Sequence, residues 1–202
     1  MYILFACALI FAASLASVQA APIVYSFTGT GSGAYNAAEF NEAFFEIILT
    51  GDSDNVVEDT DPTSLFFGQF TNPGLTGTLS ATGTDLTLPV TPFFDPITIY
   101  LDPLLEVLGI FDPAENTLLE FFFAGIGDYD LRSSFGPIST DGATYFSDMV
   151  IGDGDVFAFE SITDGTFTAD GGTPAGTIPE PGTLVFLGSG LVGLVFLKLR
   201  KK

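Results

Sequence analysis

Histidine and tryptophan are absent from the 202-residue sequence, and cysteine occurs once, as Cys7. Without His there is no imidazole to move protons near neutral pH, and zinc sites built on His or Cys are excluded. Basic residues are nearly as scarce, five against 25 acidic ones, for a formal charge of −20. Lys198, Arg200, Lys201 and Lys202 stand at the very end, and only Arg132 lies elsewhere. Ahead of that terminal cluster the chain carries 25 acidic groups and one basic, a charge of −24. Phosphate contacts need Lys and Arg, so nucleic acid is excluded as a partner.

What is present is organised at the two ends first. Ile3 to Ala16 is an uncharged apolar run, followed by Ser17-Val18-Gln19-Ala20-Ala21-Pro22. Its length suits a secretory signal and falls short of a membrane span. Small residues at Val18 and Ala20 predict signal-peptidase cleavage between Ala20 and Ala21. No Lys or Arg precedes the run, which leaves the α-amino group as its positive end. Cys7 lies inside the segment, far ahead of the cleavage site where a lipoprotein cysteine would stand. The processed chain then has no cysteine, and neither disulfide nor thiol chemistry. A domain of ordinary size can hold itself by its core instead.

The other end reads Pro179-Glu180-Pro181-Gly182-Thr183, then an apolar stretch from Leu184 to Leu197, then Lys198-Leu199-Arg200-Lys201-Lys202. A helix from Thr183 to Leu199 would span about 25 Å, slightly less than a bilayer core. Snorkelling by Lys198 and Arg200 makes up the difference. The positive-inside rule keeps this membrane stop in the cytoplasm and the acidic domain outside. Gly190 and Gly193 lack the G-x-x-x-G spacing, so no dimerising helix face is predicted.

These three parts in this order (Pro179-Glu180-Pro181, a short glycine-containing apolar helix, a terminal basic cluster) resemble the PEP-CTERM sorting signal of Gram-negative secreted proteins. The match covers roughly the last 25 residues. It implies recognition by exosortase, a membrane cysteine protease or transpeptidase, with the chain as substrate. It further implies passage from the inner membrane to the cell surface or extracellular matrix, on cells that make exopolysaccharide. Two prolines beside Glu180 hold an extended backbone that fits a protease cleft at little ordering cost. The Leu-Pro-x-Thr-Gly of a sortase signal is absent, and a GPI signal would end in its apolar tail. An uncleaved membrane anchor is the alternative.

The organisation expected is therefore a signal peptide (1–20), an acidic β-rich ectodomain (21–170), a flexible Gly/Thr/Pro linker (171–178) and the sorting signal (179–202). Short runs rich in Phe, Ile, Val and Thr alternate with Gly, Asp, Asn and Pro. They predict strands at Ile23–Thr28, Ala43–Thr50, Leu65–Thr71, Leu75–Thr82, Ile97–Leu101 and Val107–Phe111. Further along, Leu118–Ala124, Tyr145–Ile151, Val156–Glu160 and Thr166–Ala169 read the same way. Val107–Ala124 is the clearest hairpin, joined by Asp112-Pro113-Ala114-Glu115-Asn116. About ten strands with close turns predict an all-β fold, an antiparallel β-sandwich or barrel-like sheet pair. An outer-membrane barrel is disfavoured, since the sequence predicts no long alternating strands and a helical anchor would be redundant.

Ala37–Leu49 is ambiguous. Phe40, Phe44, Ile47 and Ile48 lie near one helical face, whereas Ala43, Phe45, Ile47 and Leu49 share one side of a strand. The openings Tyr25–Gly33 and Tyr129–Ile138 are similar to segments of other proteins bearing this tail, and that resemblance favours the strand. The 22 Phe residues, in a chain with no Trp and two Met, are expected to fill the core, with an exposed Phe platform for sugar stacking as the less favoured alternative. In the run Leu118–Phe123, Glu120 is the one charge, a hazard for aggregation if the run is exposed.

Chemistry, if any, must rest on carboxylates. No spacing picks out a catalytic pair, and most Asp residues sit beside Gly in turns, where they form the turn. Hard cations would find oxygen ligands around Asp52-Ser53-Asp54-Asn55 with Glu58, Asp59 and Asp61, or at Asp128–Asp130 and Asp153–Asp155. None of these fits an EF-hand loop. No metal or cofactor is expected beyond a structural calcium ion at such a cluster. The leading expectation is a non-enzymatic surface or matrix protein sorted by exosortase. A carbohydrate- or calcium-dependent binding module and a carboxylate-dependent polysaccharide hydrolase are the alternatives.

Overall fold

The computed structural model describes residues 21–171 apart from Leu65 and Asp141. The signal peptide, the linker beyond Gly171, the membrane helix and the sorting signal read from the sequence lie outside the described residues. Those that are described form an all-β unit. Its strands are β1 (Pro22–Tyr35), β2 (Ala38–Asp52), β3 (Val57–Glu58), β4 (Phe70–Thr82), β5 (Thr87–Pro92) and β6 (Ile97–Asp102). They continue with β7 (Val107–Phe111), β8 (Thr117–Phe122), β9 (Phe135–Ser139), β10 (Gly142–Tyr145), β11 (Met149–Ile151) and β12 (Asp155–Gly171). A single 3-10 turn, Ser53–Asn55, interrupts them.

All twelve strands join one antiparallel sheet whose main path runs β10-β8-β7-β6-β4-β2-β1-β12-β11. The sheet curls into a half-barrel. Two places make the curl. At the Asn72–Leu75 irregularity β4 bends: Phe70–Asn72 pair with β6, while Thr76–Thr82 pair with β2. Gly74, at a φ of +72°, supplies the backbone freedom that this corner needs. At the far side the chain steps from β9, paired to β12, into β10, paired to β8. The two halves of the sheet thus share one core, where Phe27 of β1 stacks on Phe121 of β8 at 5.1 Å between ring centroids.

Strict alternation builds that core. Ile23, Tyr25 and Phe27 face in from β1, and Phe45, Ile47 and Leu49 face in from β2. Phe44 is 54% exposed, so the period of Ala43–Leu49 is that of a strand, and the helical alternative is excluded. β1 and β2 are joined by Asn36 and Ala37 at φ of 48° and 64°, the doubly left-handed two-residue hairpin turn. The predicted β7–β8 hairpin is present. Asp112 sets its turn by accepting from the backbone N–H groups of Ala114 and Asn116 at 2.9 and 2.8 Å.

Several readings of the sequence are corrected. Long alternating strands, read as lacking, are present: β1 and β2 run 14 and 15 residues. The strand expected at Leu65–Thr71 is limited to Phe70–Thr71, because Asp61 caps a turn at Thr63 and Gly68 takes a φ of +82°. The strand expected at Tyr145–Ile151 is split into β10 and β11, with Tyr145 donating to Asp148 at 2.6 Å across the break. Val156–Glu160 and Thr166–Ala169 are one strand, β12, which absorbs a shift in register against β1 between Thr28 and Thr30. β12 continues to Gly171, paired with Ile23, one residue into the stretch read as linker. Finally β5 and β9 were not foreseen; both carry proline and lie off the main path, where a missing N–H is tolerated.

Candidate functional site

Strands β6, β7 and β8 have one face in the core and the other turned outward. Ile99, Leu101, Leu108, Ile110, Leu119 and Phe121 point inward and are fully or almost fully buried. The outward positions, Thr98, Tyr100, Phe111, Glu120 and Phe122 among them, floor a groove of about 1000 Å³. Val57–Asp61 with Phe66 and Gln69 form one bank and the β7–β8 turn another.

The floor is aromatic and acidic together. Tyr100 stacks on Phe111 with centroids 4.2 Å apart and planes 9° from parallel. Its phenol donates to the Glu120 carboxylate. Burial first, then that hydrogen bond and the charges of Glu120 and Asp102, push the Tyr100 phenol far above its ordinary range. Tyr100 can lie flat because β7 presents Gly109 beneath it; a Cβ there would fall inside the ring. Asp102 accepts from Gln69 Nε2 at 2.9 Å and from the N–H groups of Leu104 and Leu105 at 3.0 Å. Asp112, on the rim, is raised by burial but held below the usual carboxylate range by its bonds from Asn116 and Ala114.

The run Leu118–Phe123, marked as an aggregation hazard, is divided between two environments. Leu118, Leu119, Phe121 and Phe123 are core, whereas Glu120 and Phe122 face the groove. Phe is accordingly not all core: Phe44, Phe66, Phe67, Phe94, Phe122 and Phe146 are exposed. Sequence reasoning missed Tyr100 and Phe111 as groove residues, and Gly109 as the position beneath Tyr100. The alternation about Glu120 in β8 was the signal available for that outward face.

The acidic clusters are largely engaged in local turns. Asp52 Oδ1 accepts from Asp54 N–H at 2.8 Å to cap the 3-10 turn, and Asp59 Oδ1 accepts from Asp61 N–H at 3.0 Å. Bonds from Thr63 hold the Asp61 carboxyl below its ordinary range. Asp130 accepts from Arg132 N–H at 2.9 Å. Asp155 accepts from Tyr35 at 2.6 Å and from Asn36 at 2.8 Å, and both bonds lower its pKa. Among the described residues no three acidic, His or Cys side chains converge in a way suited to a metal ion.

Of the processing residues, Ala21 is described. Its carbonyl accepts from Ser53 N–H at 3.2 Å and Ser53 Oγ at 3.1 Å, at the start of β1. Ala20, Pro179, Glu180, Pro181, Lys198, Arg200, Lys201 and Lys202 lie outside the described residues. Among the described residues no helix is long and apolar enough to cross a membrane.

Residues 177–201 match the family model of the PEP-CTERM protein-sorting motif. The chain carries a PEP-CTERM sorting signal at its C-terminus. The matched stretch holds all three parts read from the sequence: the Pro-Glu-Pro, the apolar segment and the basic cluster. It begins six residues after the end of β12. The PEP-CTERM match takes in none of the groove. No curated protein and no solved structure matches the chain.

Proposed function

We propose that this is an exported, non-enzymatic protein of the cell surface or extracellular matrix, delivered by exosortase. The observation that carries the reading is the PEP-CTERM match over 177–201. Signal peptidase removes residues 1–20, and Ala21 becomes the first residue of the mature chain. Support comes from the neighbouring fold: Ile23, two residues on, is fully buried, so a cut after Ala20 leaves the sheet intact. The segment Thr183–Leu199 holds the chain in the inner membrane with Lys198, Arg200, Lys201 and Lys202 in the cytoplasm. Exosortase then acts at Pro179-Glu180-Pro181 and releases the acidic domain to its destination among exopolysaccharide.

Intact-mass measurement on the protein from its native cells tests this. The expected mature species begins at Ala21 and lacks the residues beyond the Pro179–Pro181 region. A species retaining Lys202 would reduce the tail to an ordinary membrane anchor. Deletion of the exosortase should convert the first species into the second.

A further inference from the structure

We infer that the groove over β6–β8 is a binding site for a cationic oligosaccharide, a short chain of amino sugars bearing free ammonium groups. This inference stands independently of the sorting pathway. Three features of the groove select that chemistry.

The first is charge. Glu58, Asp59 and Asp61 come from the bank, and Asp102, Asp112 and Glu120 from the sheet and its turn. No Lys or Arg is among the described residues that line the groove. Arg132, the one cation of the domain, is engaged elsewhere, donating to the Val56 carbonyl at 3.0 Å with its guanidinium 5.8 Å from the Phe70 ring. Carboxylates focused in a concave surface attract cations and repel anions. An anionic sugar polymer or a phosphorylated ligand is therefore rejected.

The second is apolar surface facing that charge. Phe122 is 37% exposed and Phe66 56% exposed, and both line the groove beside the Tyr100–Phe111 stack. Sugar rings present flat C–H faces to such rings, and an ammonium beside an aromatic face adds a cation–π attraction. A bare metal ion or a small inorganic cation would make no use of these side chains.

The third is the kind of hydrogen-bonding group on offer. The floor is a sheet face, whose backbone N–H and C=O groups are already paired between β6, β7 and β8. What remains is side-chain oxygen: Thr71, Thr98 and Thr117 together with the carboxylates. These groups suit hydroxyl and ammonium donors of a sugar. An extended peptide would instead need an open strand edge for its own backbone, and the floor strands β6, β7 and β8 each have a neighbour on both sides.

The test is calorimetric titration of the full chain in neutral nanodiscs with a glucosamine hexamer. Controls are the N-acetylglucosamine hexamer, spermine, oligogalacturonate and a Lys/Phe-rich peptide. The glucosamine hexamer is expected to bind one per chain. Its N-acetylated, uncharged counterpart should bind at least about tenfold more weakly, the loss of one charge-assisted contact. Glu58→Gln on the exposed bank and Phe122→Ser should each weaken binding about three- to tenfold, on the order of one contact. Asp85→Asn, in the distant β4–β5 turn, should leave it unchanged. Glu58 and Phe122 are exposed, so these variants fold where Glu120→Gln could disturb the buried phenol of Tyr100. Equal binding of both hexamers would overturn the proposal. So would tighter binding of spermine or the peptide, or binding that Asp85→Asn weakens as much as the groove variants do.

Discussion

The ring of Tyr100 occupies the space that a side chain at Gly109 would fill. The two residues face one another across the β6–β7 ladder. This one relationship lets a large side chain lie along the sheet surface, reach Phe111 for stacking and Glu120 for a hydrogen bond, and still leave a groove above it. A glycine in the middle of a strand weakens it unless something packs into the gap, and here Tyr100 does.

Gly109→Ala should therefore displace Tyr100 rather than stiffen the strand. Urea unfolding should show a loss of about 1–3 kcal/mol, the usual cost of overpacking. Loss of the Tyr100–Glu120 bond should appear alongside it as a lower phenol pKa in the folded protein. A gain in stability, the ordinary effect of removing a strand glycine, would mean that the ring is free to move aside.

Phe167 is the hub of the larger aromatic cluster. Its ring lies 5.0 Å from Phe27, 5.8 Å from Phe123 and 6.0 Å from Tyr129, centroid to centroid. It is fully buried on β12, the strand that pairs with both β1 and β9. Phe167→Ala should cost about 3–5 kcal/mol, enough to unfold a marginal domain near body temperature. Phe94→Ala, at a position 60% exposed, should stay within about 0.5 kcal/mol of wild type. Parallel denaturation curves of the two variants would check the contrast.

Much of this fold was legible because strands with one buried face announce themselves by alternation. Ile23-Val24-Tyr25-Ser26-Phe27 and Phe45-Glu46-Ile47-Ile48-Leu49 place their inner residues as the period demands. The hairpin at Asp112–Asn116 was legible through turn chemistry alone. What escaped is decided by distant partners. β9 forms because Phe167 and Thr166 present an open edge to Ile138 and Ser139, a fact no local window contains. The groove escaped for the same reason. Tyr100, Gly109, Phe111 and Glu120 come from three strands, and their outward face is fixed by register rather than by any motif. The sorting signal is the opposite case: a linear motif met by its reader as an extended chain, so sequence suffices to find it.

Tyr25 and Asn72 form a polar bond in the buried interior at the β4 corner. Asn72 Nδ2 donates to Tyr25 Oη at 2.9 Å and to the Asp52 carbonyl at 3.1 Å, while Tyr25 donates to the Leu131 carbonyl at 2.6 Å. Tyr25→Phe removes the oxygen that serves both neighbours. The Leu131 carbonyl loses this donor, and Asn72 Nδ2 keeps only Asp52. The expected cost is about 1–3 kcal/mol, set by leaving buried groups unpaired rather than by the bond itself. Chemical denaturation checks it, and a change below about 0.5 kcal/mol would show that water takes the vacated position.

The same phenol makes the domain sensitive to alkali. Burial pushes the Tyr25 pKa up to about 12, with the charge of Asp130 adding to the rise and Asn72 and Arg132 opposing it. Burial likewise raises Tyr129, Tyr100 and Tyr145, and the bond to Asp155 raises Tyr35. An unfolded tyrosine titrates at about pH 10. Above that pH the unfolded chain has released protons that the folded one still holds, so ν_U is smaller than ν_N and stability falls as pH rises. The stabilisation is complete below about pH 10 and for Tyr25 is exhausted above about pH 12. Tyrosinate absorbance and circular dichroism, followed together from neutral pH upward, should therefore show one joint transition, with phenols ionising as the sheet is lost. Ionisation of all the phenols near pH 10 with the sheet signal intact would contradict the buried positions of Tyr25, Tyr100 and Tyr129. Tyr25→Phe removes one of the shifted groups, so it should flatten the fall of stability above about pH 10 even as it lowers stability at neutral pH.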